Sequence, residues 1–204
     1  MTPLIILYLI SWSMLMITVL WQMPLVFYRW VKIATAALFV LISLSNDNLM
    51  IIMTLILFFI GDVVLAFADG GKVKHWLLSG MLFFWLGHLG LIFCMLNNRS
   101  FDGFALIYGL TPVVLLFFIK HTFFRIDFRG IFVLLVMYGY TLGILGSMSL
   151  MSYDVQPLLT CGIMIFIVSD LCLIFWYFYP ECPRFVKLLN VITYFGSVLI
   201  IALS

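Results

Sequence analysis

Charge is what this sequence has least of. Asp, Glu, Lys and Arg make up 9% of 204 residues, as ten basic and eight acidic side chains. Soluble domains carry about 25%. So few charges cannot cover the polar surface a soluble fold of this length needs. A water-soluble globular protein and a nucleic-acid binder are therefore excluded. Disorder is excluded from the other side, because Ala, Val, Ile, Leu, Met, Phe, Trp, Tyr and Cys reach 66%. Such a chain needs a bilayer as its solvent. Its net charge of +2 identifies no partner.

Other absences narrow the chemistry. A membrane barrel would need strands that alternate apolar and polar residues, and the long unbroken apolar runs argue against it. Cys94, Cys161, Cys172 and Cys182 form no C-x-x-C pair, and read as small buried hydrophobes. The histidines are His75, His88 and His121, without an H-x-x-x-H or a His/Cys cluster. A zinc hydrolase is disfavoured on that count. Neither a metal nor another cofactor is expected.

Long apolar runs are what the chain does have. A spanning helix takes roughly 20 apolar residues, and polar breaks delimit eight such runs: 3–21, 31–45, 49–68, 76–96, 103–119, 130–149, 157–179 and 185–203. The fold class is all-α, a polytopic membrane protein with eight transmembrane helices in one domain, 1–204. The second and fifth runs are short and predict extension into their flanks or little tilt. The first lacks a basic leading region and reads as a retained helix, not a cleaved signal. Arg29, Lys32, Lys72, Lys74, Lys120, Arg125, Arg129, Arg184 and Lys187 fall in or beside the odd-numbered loops, and Arg99 alone falls in the even ones. The positive-inside rule then places the odd loops in the cytoplasm and both termini on the opposite side. Short loops and the lack of tails point to a bacterial inner membrane.

Ionisable groups inside a span are expensive and usually functional. Six of the eight acidic residues lie in loops or at span ends; Asp62, in FFIGDVVLAF, and Asp170, in FIVSDLCLIFWYF, lie inside. At 1.5 Å per residue both stand roughly 9–14 Å from the odd-loop end of their spans. His88, in FFWLGHLGLIF, stands roughly 18 Å from that end. Tyr138, Tyr140, Tyr194 and Ser169 fall at compatible depth. Lys32 and Lys120 are the basic residues closest to the membrane core, suited to anchoring headgroups or holding a substrate phosphate. Each polar residue also has a structural alternative: a buried aspartate can be held by donors across helices, a histidine beside glycines can tie helices together, and tyrosines can simply be core or lipid-facing. The glycines Gly61, Gly87 and Gly90 suit close helix packing.

Phe59–Phe67 and Ile167–Phe175 share an apolar-apolar-small-Asp-x-x-Leu-x-Phe pattern and cross the membrane in the same sense. Duplication of a four-helix half, 1–102 and 103–204, would produce such a pair.

Three motifs in this order resemble the YhhN-like lysoplasmalogenase family: Gly61-Asp62 followed by Leu65, Gly87-His88 in an aromatic-rich span, and Ser169-Asp170 near the end. The resemblance covers essentially the whole chain. Lys32 also matches, although Ile33 stands where the family often has proline. Thr193-Tyr194 matches too, while Ser197 and Val198 occupy the region of an expected glutamine. The resemblance implies hydrolysis of the vinyl-ether bond of a lysoplasmalogen, giving a fatty aldehyde and a glycerophospho-ethanolamine or glycerophospho-choline.

That reaction begins by protonating carbon, which creates an oxocarbenium-like cation; water then adds and the hemiacetal collapses. It calls for one carboxylic acid still protonated near neutral pH and a second carboxylate to stabilise the cation or activate water. Glycosidases meet a related demand with two carboxyl groups. Asp62 and Asp170 can divide these roles in either order, with His88 orienting one of them or relaying a proton. A single-chain lipid would enter from the surrounding membrane with its phosphate near Lys32 or Lys120. A proton-coupled transporter is the main rival, since it also buries Asp and His; the spans, however, show little interruption by Gly or Pro. A purely structural role is a further alternative.

Overall fold

The computed structural model describes residues 2–68, 74–98, 102–128 and 130–204. Asp69, Lys72, Arg99 and Arg129, which enter the charge pattern above, lie outside the described residues. Among the described residues every regular element is helical: α1 (Thr2–Leu20), α2 (Leu25–Ser43), α3 (Leu49–Ala68), α4 (Lys74–Asn98), α5 (Phe104–Tyr108), α6 (Thr111–Thr122), α7 (Phe132–Met151), α8 (Pro157–Phe178) and α9 (Arg184–Ala202). Among the described residues, α5 and α6 together make one span of Phe104–Thr122, so eight helical spans are long and apolar enough to cross a membrane. A lipid solvent leaves backbone groups no partner but one another, which is why helices take up nearly all of the chain.

The two short runs differ from their sequence boundaries in instructive ways. α2 begins six residues earlier than the apolar run, straight after Pro24. Its two basic residues are satisfied within the protein: Arg29 Nε donates to the Ala66 carbonyl at 2.8 Å, and Lys32 is buried. The fifth span extends to Thr122, but it is broken at Gly109–Leu110. Pro112 sits at the start of α6 and cannot donate the hydrogen bond that would continue α5 into it. Among the described residues, this break at Gly109–Leu110 interrupts a span, where little interruption by Gly or Pro is expected.

Seven spans close a ring in the order α1, α2, α3, α4, α7, α8, α9, with α9 returning to α1 and also touching α2 and α3. The α5–α6 span lies outside this ring against α7. Lipid-facing positions carry large apolar side chains such as Ile10, Trp30, Phe93 and Val133, and the interior holds Phe58, Phe166, Phe195 and Leu145. Of the cysteines, Cys94 and Cys172 are buried as expected, but Cys161 is exposed on α8 and Cys182 is half-buried near the start of α9.

Small residues set the tightest seam. On α4, Gly87 makes room for the Phe58 ring and Gly80 for Leu65, while Gly61 on α3 accepts Phe84, whose Cε2 lies 2.7 Å from where a methyl group would stand. Helices in lipid gain association energy from such close packing. The α3–α4 seam fixes Asp62 and His88 relative to each other. At one end of the bundle the chain ties loop to helix: the Asp127 N–H donates to the Phe178 carbonyl at 3.1 Å, and Arg125 pairs with Glu181 at 2.7 Å. Lys187 lies 4.0 Å from the Tyr28 ring centre and 4.8 Å from that of Trp176 at the same end.

Candidate active site

Two polar centres lie inside the ring of helices, one on each side of an aromatic partition. The first is built around Asp62, 1% exposed on α3. Its Oδ1 is 3.5 Å from the Lys32 ammonium on α2. Its Oδ2 accepts a 2.6 Å hydrogen bond from the Tyr194 hydroxyl on α9. An ammonium buried at 7% exposure would be costly without a counter-charge. The Asp62 carboxylate supplies that counter-charge. Tyr8 from α1 is also fully buried, its hydroxyl donating to the Phe195 carbonyl on α9.

The second centre is built around Asp170 on α8. Its Oδ2 accepts a 2.8 Å hydrogen bond from Tyr138 on α7, and His88 Nε2 of α4 lies 3.8 Å away. His88 is wholly buried, and neither ring nitrogen has a hydrogen-bond partner among the described residues. Its neighbours are rings: Phe58, Tyr138 and Phe166 meet it edge-on at centroid distances of 5.7, 5.1 and 5.1 Å. Leaving a buried polar group unpaired costs about 1–3 kcal/mol. Among the described residues, His88 is held by ring packing and by the nearby Asp170 carboxylate rather than by a hydrogen bond.

The partition consists of Phe58, Phe84 and Phe166. Phe166 touches both centres, 5.1 Å from the His88 ring and 5.5 Å from that of Tyr194. The two carboxylates therefore belong to one aromatic-walled core, bridged by Phe166 between His88 and Tyr194.

Asp170 and Tyr138 also form part of the wall of a cavity of about 200 Å³ between α4, α6, α7 and α8. Its remaining lining is almost wholly aliphatic and aromatic, with Leu77, Leu116, Leu142 and Phe178 among it. A carboxyl group at the edge of a hydrocarbon-lined space can meet the reactive end of an apolar chain.

A sequence profile of the YhhN family matches residues 3–204. The chain belongs to the YhhN family. No curated protein and no solved structure matches it.

Within this YhhN chain the residues singled out from sequence separate into two groups. Asp62, Asp170, His88, Tyr138, Tyr194 and Lys32 converge on the core just described. Ser169 is completely buried beside them, but its hydroxyl and carbonyl are engaged by Asn190 Nδ2 at 2.8 and 3.2 Å, which fastens α8 to α9. Tyr140 points away from Tyr138, as a residue two positions along a helix must, and packs beside Gly109. Lys120 is exposed on α6, its ammonium 4.1 Å from the Phe132 ring centre. It stands one turn beyond Leu116, a wall residue of the cavity, on the same helix face. Asn190 and Tyr8 were not anticipated. Both are polar residues inside apolar spans, the same signal that singles out the aspartates, but they carry no ionisable charge at neutral pH.

Proposed function

We propose that this protein is a lysoplasmalogenase-like hydrolase that cleaves the vinyl-ether bond of a single-chain alkenyl phospholipid. The YhhN family includes lysoplasmalogenases. The observation that carries the reading is the unequal company of the two buried carboxylates. Asp62 has an ammonium and a phenol. Asp170 has a phenol and an imidazole, and it faces a hydrocarbon-lined cavity.

This inequality supports one division of the roles. An ion-paired carboxylate remains ionised, so Asp62 is the fixed negative charge. Asp170 is the acid. Its carboxylic proton moves to the alkenyl carbon one removed from the ether oxygen, and the electron pair of the double bond forms the new C–H bond. The ether oxygen shares the positive charge left on the adjacent carbon. The Asp170 carboxylate left by that transfer, in the cavity wall beside Tyr138, stands next to the cation and favours it, with the charge of Asp62 acting from behind the aromatic partition. Water adds to the charged carbon and returns a proton to the Asp170 carboxylate, leaving a hemiacetal. The hemiacetal hydroxyl then gives up its proton as the bond to the glycerol oxygen breaks. His88 can carry this proton to the leaving oxygen. The products are a fatty aldehyde and a glycerophospho-ethanolamine or glycerophospho-choline. Lys120, one turn from the cavity wall, is placed to meet the phosphate.

The test uses purified protein in detergent with an alkenyl lysophospholipid, following fatty aldehyde. Release without any membrane gradient is expected, and it separates an enzyme from a transporter. Asp170→Asn removes the acid and is expected to lower the rate by about 10²–10⁴-fold. Folded Asp62→Asn and Asp170→Asn proteins that both kept full hydrolysis would overturn the site.

A further inference from the structure

We infer that the substrate's hydrocarbon chain runs along the groove between α6, α7 and α8, and that Ile167 is the neck that sets which chain lengths it accepts. The inference rests on Asp170 being the acid of the proposed reaction.

Two cavities lie end to end along this groove. The first, of about 200 Å³, has Asp170 and Tyr138 in its wall. The second, of about 480 Å³, continues toward the other end of the bundle between Tyr108, Ser147, Leu150 and Met164. They share Thr111, Pro112 and Ile167 as wall residues, so the partition between them is made there. The helices are close at this point: a methyl group on Gly143 would lie 2.7 Å from Pro112 Cδ, and one on Gly146 would lie 2.8 Å from Ile167 Cδ1. Ile167 stands one turn before Asp170 on the same face of α8.

The occupant follows from the chemistry at the wall. When the vinyl ether reaches Asp170, the carbons next to it must lie in the first cavity. At about 30 Å³ for a water-sized group, 200 Å³ holds roughly six or seven methylene-sized groups. A longer chain that stays in the groove passes Ile167 into the second, more open cavity, where Tyr108 and Leu150 are exposed. A chain that stops short need not. The polar half of the molecule then lies toward the end of the bundle that carries Lys120, and the chain points toward the bilayer interior, the orientation a single-chain lipid already has in a leaflet.

The experiment compares Ile167→Ala and Ile167→Phe with the wild type, using lysophospholipids with a chain of about eight carbons or about sixteen, one on either side of the first cavity's capacity. Two readouts are taken on purified full-length protein in detergent: kcat/KM for the alkenyl lipids, and equilibrium binding of the alkyl analogues, which have no vinyl ether to cleave. Ile167→Ala is expected to raise the long-to-short ratio by about tenfold in both, and Ile167→Phe to lower it comparably. If Ile167→Phe does not fold, Ile167→Ala and Ile167→Val carry the comparison. Ratios unchanged in turnover by a wild type that does hydrolyse would overturn the neck and leave the reaction standing. Ratios that shift in binding while even the wild type releases no aldehyde would keep the neck and overturn the reaction. A wild type that neither binds nor cleaves would overturn both.

Discussion

Lys32 shows how one residue changes meaning between sequence and structure. Beside an apolar run it looks like a headgroup anchor. In the folded chain its ammonium is directed inward to Asp62 at 3.5 Å. Removing one partner of a buried ion pair is more damaging than removing both. Lys32→Met is expected to cost about 3–5 kcal/mol, read as a lower unfolding midpoint in detergent, and Lys32→Met with Asp62→Asn to recover most of it. The phenols give a second comparison. Tyr138→Phe removes the 2.8 Å hydrogen bond to Asp170 and is expected to cut aldehyde release about tenfold or more. Tyr140→Phe, on the far side of α7, is expected to leave release unchanged. Both tyrosines have the same depth in sequence; only the helix rotation separates them, and a shared depth cannot specify a direction.

At the scale of elements, the α3–α4 seam holds one residue of each centre in register. Gly87 lies directly before His88 and gives the Phe58 ring its place. Gly87→Ala would drive a methyl group into that ring. The expected cost is about 1–3 kcal/mol in stability, together with reduced aldehyde release, since Phe58 also packs edge-on against His88 at 5.7 Å. An equivalent methyl on Gly103, which meets nothing nearby, is expected to leave activity unchanged and serves as the control. The seam was legible: Gly87 and Gly90, three apart in one span, and Gly61 in the span before it point to close packing from sequence alone. The break in the fifth span was less so, although Gly109 and Pro112 are the residues that produce it. Hydropathy averages over a window and registers apolar length, not the loss of a single N–H. The short register of that run was the visible trace.

At the scale of the whole molecule, eight spans follow from composition, because a lipid solvent demands about 20 apolar residues per crossing and the chain is divided accordingly. Which helix neighbours which does not follow. Apolar faces turn to lipid and to one another alike, so periodicity says little about partners; the ring order and the peripheral place of α5–α6 come from close-packed detail. The polar residues are the exception. Asp62, His88 and Asp170 each have to leave the lipid, and this alone puts α3, α4 and α8 around one interior. The basic residues make a further prediction about the assembled protein. The end carrying Arg125, Arg184 and Lys187 should face the cytoplasm. A reporter fused after Ser204 that is active only outside the cytoplasm should therefore work, and the same reporter inserted between Phe123 and Phe128 should be silent; the reverse pattern would invert the topology.

The contact between Lys32 and Asp62 also bears on how the protein is made. One charge is carried by α2 and the other by α3, at nearly matching depth, on either side of a short turn. Either helix alone would present an uncompensated charge to the membrane, at a cost of about 2.5–3.5 kcal/mol on insertion scales. Entering together as a hairpin, the two hide each other's charge before they leave the insertion site. The pair that holds the Asp62 centre in the folded protein is thereby expected also to couple the entry of its second and third spans into a single step of biogenesis.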